Sequence, residues 1–171
     1  VAAEKLLPKV TSLWLVGKSQ PKVCDPLFKK WQQAGYRTND IIWQRIVLSA
    51  DGGKHTLIPY LTLLLPKNEQ YLAELWHKVR RNPAYIKRLA KFKHKTPREA
   101  EIVAYGLKRL IWRAPQQAID TYALAKTLLP FTEHQQQQIT LKFALALASK
   151  NHVDAAGWLE QVADKHFNSN L

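Results

Sequence analysis

The chain has 171 residues, a net charge of +13, 6 glycines and no methionine. That length allows one domain or one compact array with a real core, and an apolar fraction of 46% excludes a disordered chain. The longest apolar run, "LTLLLP" at 61–66, is far too short to cross a bilayer, so no membrane span is expected, and the opening "VAAEKLLPKV" lacks the zones of a secretory signal.

Scarce glycine with frequent Ala, Leu, Lys and Gln favours helix. The first segment, "AAEKLLPKVTSLWLVG", has apolar residues at helical spacing and stops at Gly17. "CDPLFKKWQQAG" offers Asp25 as N-cap, Pro26 at the first helical position and Gly35 as a stop. "TNDIIWQRIVLSADGG" starts on Thr38 or Asn39 and ends at Gly52 and Gly53. "KHTLIPYLTLLLP" and "NEQYLAELWHKVRRNP" follow, divided by Pro66 and closed by Pro83. "PAYIKRLAKF" reads as a short helix. "TPREAEIVAYGLKRLIWRAP" starts on Thr96, with Pro97 and Glu99 behind it. "PQQAIDTYALAKTLLP", "TEHQQQQITLKFALALASKN" capped by Thr132, and "VDAAGWLEQVADKHF" complete the series, and the tail "NSNL" is expected to fray.

These are about ten short helices with no period-two segment. The fold class expected is therefore all-α, an α-superhelix (α-solenoid) of stacked antiparallel helical hairpins. No strict repeat of about 34 or 40 residues occurs. Small residues at i, i+4 in "AIDTYALAKTLLP" and "DAAGWLEQVAD" suit close helix crossings in a degenerate repeat. A chain without methionine, even at position 1, reads as a processed product or a piece of something longer; the piece is favoured, because the first residues already lie in a helical pattern.

Catalytic constellations are missing. The 13 acids are scattered, and the near pair Glu99 and Glu101 is explained as a capping turn. His55, His77, His94, His134, His152 and His166 make no ligand pattern, and a lone cysteine cannot complete a zinc knuckle. "DGGKHT" at 51–56 lacks the first glycine and the spacing of a phosphate loop and reads as a helix stop and turn. No catalytic residue, cofactor or metal is expected.

A net charge of +13 predicts attraction to a polyanion: nucleic acid, anionic lipid, or the carboxylate-rich peptides of a bacterial wall. The charge is densest between His77 and Arg98, where Lys78, Arg80, Arg81, Lys87, Arg88, Lys91, Lys93, Lys95 and Arg98 meet no acid. These nine are the candidate polyanion- or wall-contacting residues; the bland alternative is the solvated face of two helices, with Tyr85, Ile86, Leu89 and Phe92 turned inward. Nucleic acid is not the expected target, because no reading module accompanies the charge. The six tryptophans, Trp14, Trp31, Trp43, Trp76, Trp112 and Trp158, sit at apolar positions and are expected in the core.

One stretch is more specific. "LWLVGKSQPKVCDPLFKKWQQAG" resembles a segment of the soluble lytic transglycosylases of Gram-negative bacteria, which reads Leu-Trp-Leu-x-Gly-Lys-Ser-Gln-Pro-x-x-Cys-Asp-x-Leu-Phe-x-x-Trp. Leu13, Trp14, Leu15, Gly17, Lys18, Ser19, Gln20, Pro21, Cys24, Asp25, Leu27, Phe28 and Trp31 match in place. The resemblance continues through "RIVLSADGG" and "LTLLLP"; after residue 66 it rests on helical pattern and fragments such as "FTEHQQQQI".

The resemblance implies that residues 1–171 are a single segment of a superhelical U-domain, without the lysozyme-like catalytic domain that sits on the ring this domain forms. It implies that Cys24 is half of a disulfide whose partner lies upstream of Val1, in the oxidising periplasm; read from residues alone, a small buried thiol serves as well. The family cleaves the MurNAc–GlcNAc bond of peptidoglycan to 1,6-anhydromuramoyl ends, using motifs Glu-Ser, Gly-Leu-Met-Gln and Ala-Tyr-Asn-Ala-Gly, and none of these is in this sequence. The expected function is thus non-catalytic: scaffolding the ring, with peptidoglycan glycan strands as partner through the parent enzyme and cell-wall-synthesis or other periplasmic proteins as further partners. The rival readings are a helical-repeat protein-interaction scaffold with a basic face and a basic nucleic-acid-binding helical domain.

Overall fold

The computed structural model describes the backbone of residues 2–168 and the side chains of residues 5–162. Residues 169–171 of the tail expected to fray, and the side chain of His166, lie outside the described residues. Every regular element among the described residues is helical, the all-α class expected from periodicity. In chain order these are α1 (Ala2–Trp14), α2 (Asp25–Gln33), α3 (Asn39–Ala50), α4 (Ile58–Thr62), α5 (Gln70–Arg81), α6 (Pro97–Arg113), α7 (Pro115–Leu128), α8 (Glu133–Ser149) and α9 (Ala155–Asn168), with short 3-10 segments between them. The chain divides into two compact units, Val1–Arg80 and Arg81–Leu171.

In the first unit, aromatic side chains hold the helices together. Trp31 of α2 is fully buried, its ring 5.4 Å from that of Trp14 on α1, and its Nε1 donates to Thr11 Oγ1 at 3.0 Å. A buried indole needs such a partner for its one donor. Trp43 of α3 meets Trp76 of α5 edge-to-face at 5.5 Å. Thr38 caps α3 by accepting from Ile41 N at 3.3 Å, and Gly35 and Gly52 close α2 and α3 at φ of 86° and 79°. Asp25 departs from expectation: it is the first residue of α2, not its cap, and Cys24 before it makes no side-chain cap.

"KHTLIPYLTLLLP" is not one helix. A 3-10 turn, His55–Leu57, leads into α4, which then tightens: Leu63, Leu64 and Leu65 donate to Tyr60, Leu61 and Thr62, three residues back. Pro66 removes the donor that would prolong the helix.

In the second unit, α6 is the centre. Ala100, Ile102, Val103, Leu107 and Ile111 are fully buried, and α7, α8 and the 3-10 segment Pro83–Lys87 pack against α6. On α7, Ala118, Thr121, Tyr122 and Ala125 are buried, and Thr121 with Ala125 has the i, i+4 small-residue spacing noted in the sequence. Tyr122, Phe143 of α8 and Trp158 of α9 form a ring cluster with centroids 5.0 to 6.3 Å apart. Thr96 caps α6, and Thr132 with Gln135 forms a reciprocal capping box on α8.

The expected helix "PAYIKRLAKF" is instead two 3-10 segments, Pro83–Lys87 and Leu89–Lys91. Pro83, Ile86 and Phe92 are buried and Leu89 half-buried, so the inward residues recur every third position. That is the 3-10 period and not the α period. Cations at Lys87 and Lys91, four apart, add repulsion that an α-helix would bring close.

Candidate functional site

The signature stretch 13–31 is held by backbone proximity and one arginine. α1 ends at Trp14, and the chain then turns so closely past the end of α3 that Lys54 N donates to Gly17 O at 2.7 Å. A Cβ on Gly17 would stand 2.4 Å from Leu48 O, and one on Gly53 would stand 2.3 Å from the same oxygen. Both glycines are therefore required by contact between backbones. Arg45 of α3 completes the joint. Its Nε donates to Val16 O at 3.2 Å, its Nη2 to Lys18 O at 3.0 Å, and its guanidinium lies 4.3 Å from the centre of the Trp14 ring. Gln20 reaches back from the same loop, its side-chain amide donating to Leu13 O.

Beside this joint is a cavity of about 300 Å³, wholly within the first unit. Its wall includes Gln20, Asp25, Lys29, Arg37, Arg45 and Tyr60, with the Trp14–Trp31 pair behind. Arg45 is only 5% exposed, yet neither it nor Asp25, Lys29 or Arg37 forms an ion pair among the described residues. Burial lowers the Arg45 pKa from its ordinary value, and Tyr60 beside it pulls the other way. The cavity thus holds three cations against one carboxylate.

The nine basic residues singled out in the sequence fall in both units. In the first, Lys78 is exposed, while Arg80 is half-buried and its Nε donates to Ala50 O at 2.8 Å, closing the end of α3. In the second, Arg81, Lys87, Arg88, Lys91, Lys93 and Lys95 are exposed and Arg98 is half-buried. Ile86 and Phe92 are buried beneath them, as the inward reading requires. Tyr85 is half-buried, with the Arg88 guanidinium 5.4 Å from its ring centre. Glu99 is fully buried, and its Oε1 accepts from His94 N at 3.3 Å, which ties the end of the basic segment to α6.

Cys24 is half-buried, in the 3-10 turn Lys22–Cys24 before α2. Trp14, Trp31, Trp43 and Trp76 lie in the core as expected and Trp158 is half-buried; Trp112 is 41% exposed, because it falls on the outer side of the last turn of α6. Two histidines distant in sequence, His55 and His77, are brought together with Nδ1 and Nε2 3.5 Å apart. Among the described residues no group of three His, Cys, Asp or Glu could hold a metal ion, and no helix is long and apolar enough to cross a membrane.

A family model for the Cucumovirus coat protein matches residues 4–82. Viral capsid jelly rolls are built of strands, and no strand occurs among the described residues of that range. The soluble lytic murein transglycosylase of Escherichia coli is 35% identical over 71 residues, 42% of this chain and 11% of that protein. Its counterpart in Salmonella typhimurium is 38% identical over 61 residues, 36% of this chain and 10% of that protein. A crystal structure of an inactive mutant of the lytic transglycosylase Slt of Pseudomonas aeruginosa superposes with a TM-score of 0.82 and 30% identity, covering 93% of this chain. Over most of its length the chain is similar in fold and sequence to this lytic transglycosylase. The 70-kDa enzyme of Escherichia coli shares the fold, with a TM-score of 0.72 at 24% identity over 94% of this chain. The chain spans 26% of each of those two solved chains.

Proposed function

We propose that the chain is a non-catalytic segment of the superhelical U-domain of a periplasmic soluble lytic transglycosylase. In that reading residues 1–171 form one part of the domain, and the catalytic domain lies elsewhere in the parent protein. The parent cleaves the MurNAc–GlcNAc bond of peptidoglycan to 1,6-anhydromuramoyl ends, and this part scaffolds the ring that holds glycan strands near the active site. The observation that carries the reading is the TM-score of 0.82 at 30% identity over 93% of the chain.

The exposed cations Lys78, Arg81, Lys87, Arg88, Lys91, Lys93 and Lys95, with the half-buried Arg80 and Arg98, support a contact with the anionic wall. Half-burial of Cys24 in a turn supports its role as half of a disulfide with a cysteine beyond this chain. The test is retention on purified sacculi. The chain should be retained at low salt and released at high salt, because such contacts are screened. A variant with Lys87, Lys91, Lys93 and Lys95 all changed to Gln should be retained less. Equal retention at both ionic strengths, or none at either, would remove the wall contact from the reading.

A second reading is favoured by a different observation. Leu124 and Leu128 of α7 and Leu141 and Leu145 of α8 are 56%, 37%, 37% and 50% exposed, each pair one helical turn apart. Such rows suit a protein partner, as in a helical-repeat scaffold, and a cell-wall-synthesis or other periplasmic protein is the partner that reading implies.

A further inference from the structure

The signature joint holds a largely buried guanidinium that has carbonyl and ring contacts but no carboxylate partner among the described residues. Arg45 is 5% exposed, and two of its three nitrogens donate to the carbonyls of Val16 and Lys18. Its Nη1 has no hydrogen-bond partner among the described residues, and no carboxylate pairs with it. A buried guanidinium normally has an anionic partner, since desolvation of an unpaired charge is unfavourable. Here the guanidinium lines an open cavity of about 300 Å³.

The surroundings specify the missing partner. Lys29 and Arg37 line the same cavity, and neither forms an ion pair. Asp25 shares the wall, so a doubly charged anion such as phosphate meets repulsion that a single carboxylate meets only by half. The side-chain amide of Gln20 and the hydroxyl of Tyr60 add neutral polar groups, and Tyr60 is 55% exposed and free to cover a ligand. A carboxylate can accept from the Nη1 of Arg45 while Arg37 and Lys29 supply the further cations around it.

We propose that this cavity is a binding site for a small carboxylate-bearing ligand, with Arg45, Arg37 and Lys29 holding the carboxylate. Arg45 already holds two carbonyls of the loop that precedes α2, so a ligand on its remaining nitrogen would also stiffen that joint. The site recognises the carboxylate and not the neutral part of a sugar, so it does not depend on the basic segment 78–98 that the wall-contact reading uses. Two sources of that group are a sugar acid and a peptide C-terminus.

The test is titration of the 171-residue chain, followed by the indole N–H resonances of Trp14 and Trp31. The probes are N-acetylmuramic acid, the dipeptide Ala–Ala, N-acetylglucosamine as a sugar without the carboxylate, and inorganic phosphate. The result expected is that one or both carboxylates shift these resonances saturably and the neutral sugar does not. N-acetylmuramic acid alone would assign a sugar acid, Ala–Ala alone a peptide terminus, and both the carboxylate itself. Arg37→Gln and Lys29→Gln should each weaken binding about tenfold, as expected for loss of one charge-assisted contact. Both residues lie at the rim and make no hydrogen bond that the fold uses, so these variants avoid the misfolding that Arg45→Gln risks. Lys142→Gln, an exposed change on α8 in the other unit, should leave binding as it was. The proposal is overturned if neither carboxylate binds, if N-acetylglucosamine or phosphate binds as well as they do, or if Lys142→Gln weakens binding as much as Arg37→Gln.

Discussion

Residues 2–80 and residues 81–168 are both strands-free and helical, but they are held together differently. In the first unit α4 has five residues, and much of the chain between helices is irregular. What holds it is a set of individual contacts: Trp31 on Trp14, Trp43 on Trp76, two glycines against Leu48 O, and Arg45 on two carbonyls. The second unit has helices of 14 to 17 residues packed by repeated apolar positions around α6. Single contacts concentrate stability in a few residues; periodic packing spreads it over many.

That contrast can be broken by substitution, and the effects should fall in a definite order. Trp31→Ala removes a fully buried indole and its bond to Thr11, and should destabilise by about 4 kcal/mol in urea unfolding. A loss near that of a surface change would mean the Trp14–Trp31 pair does not hold α2. Gly53→Ala comes next, at about 3 kcal/mol, since its Cβ would meet backbone oxygens of Leu48 and Gly17 at 2.3 and 2.6 Å. Gly157→Ala in α9 is the opposite case. Nothing lies within 4 Å of its added Cβ, so the change should stabilise by about 0.8 kcal/mol through helix propensity alone. If both glycine changes have the same sign, the close approach of 17 to 53 is not what holds the first unit.

A cap should matter about as little in one unit as in the other. Thr132→Ala, which opens the capping box of α8, should lower the unfolding midpoint by an amount equivalent to about 1 kcal/mol. The smallest effect is one of pH. Tyr122 is 4% exposed, and burial raises its pKa above 10.0. The folded state therefore holds the phenol proton more tightly than the unfolded state does. That contribution is complete below the unfolded value of 10.0 and is lost as pH rises through the raised folded value. Tyr122→Phe should flatten the alkaline side of the stability profile; an unchanged profile would show that this ring cluster is wetter than its burial indicates.

Much of the second unit was legible from the sequence because its elements depend on neighbours three and four residues away. Thr96 and Thr132 mark helix starts by their own chemistry, and Ala118 and Ala125 show the inward face of α7 by spacing. The segment 83–92 reads as α-helix but is 3-10, its inward residues recurring every third position; with only four such residues, spacings of three and of three-to-four look alike over one or two turns. The motif from Leu13 to Trp31 could be recognised by resemblance, but its reason could not. Val16 and Arg45 are 29 positions apart, and no local pattern links them. The same distance hid the cavity, whose wall draws on the loop before α2, on α2 itself, on α3 and on Tyr60 of α4.

By itself the sequence determined the helical class, the positions of most helix ends, the surplus of positive charge and the resemblance carried by the "LWLVGKSQP" stretch. These depend on short-range backbone preferences, on composition and on residue identity, all of which are present before the chain folds. Only the tertiary structure decided that Gly17 and Gly53 share one carbonyl, that His55 meets His77, and that Arg45 keeps an unused N–H facing a cavity. Each of these is a meeting of residues far apart along the chain, and the packing that brings them together is a property of the whole unit.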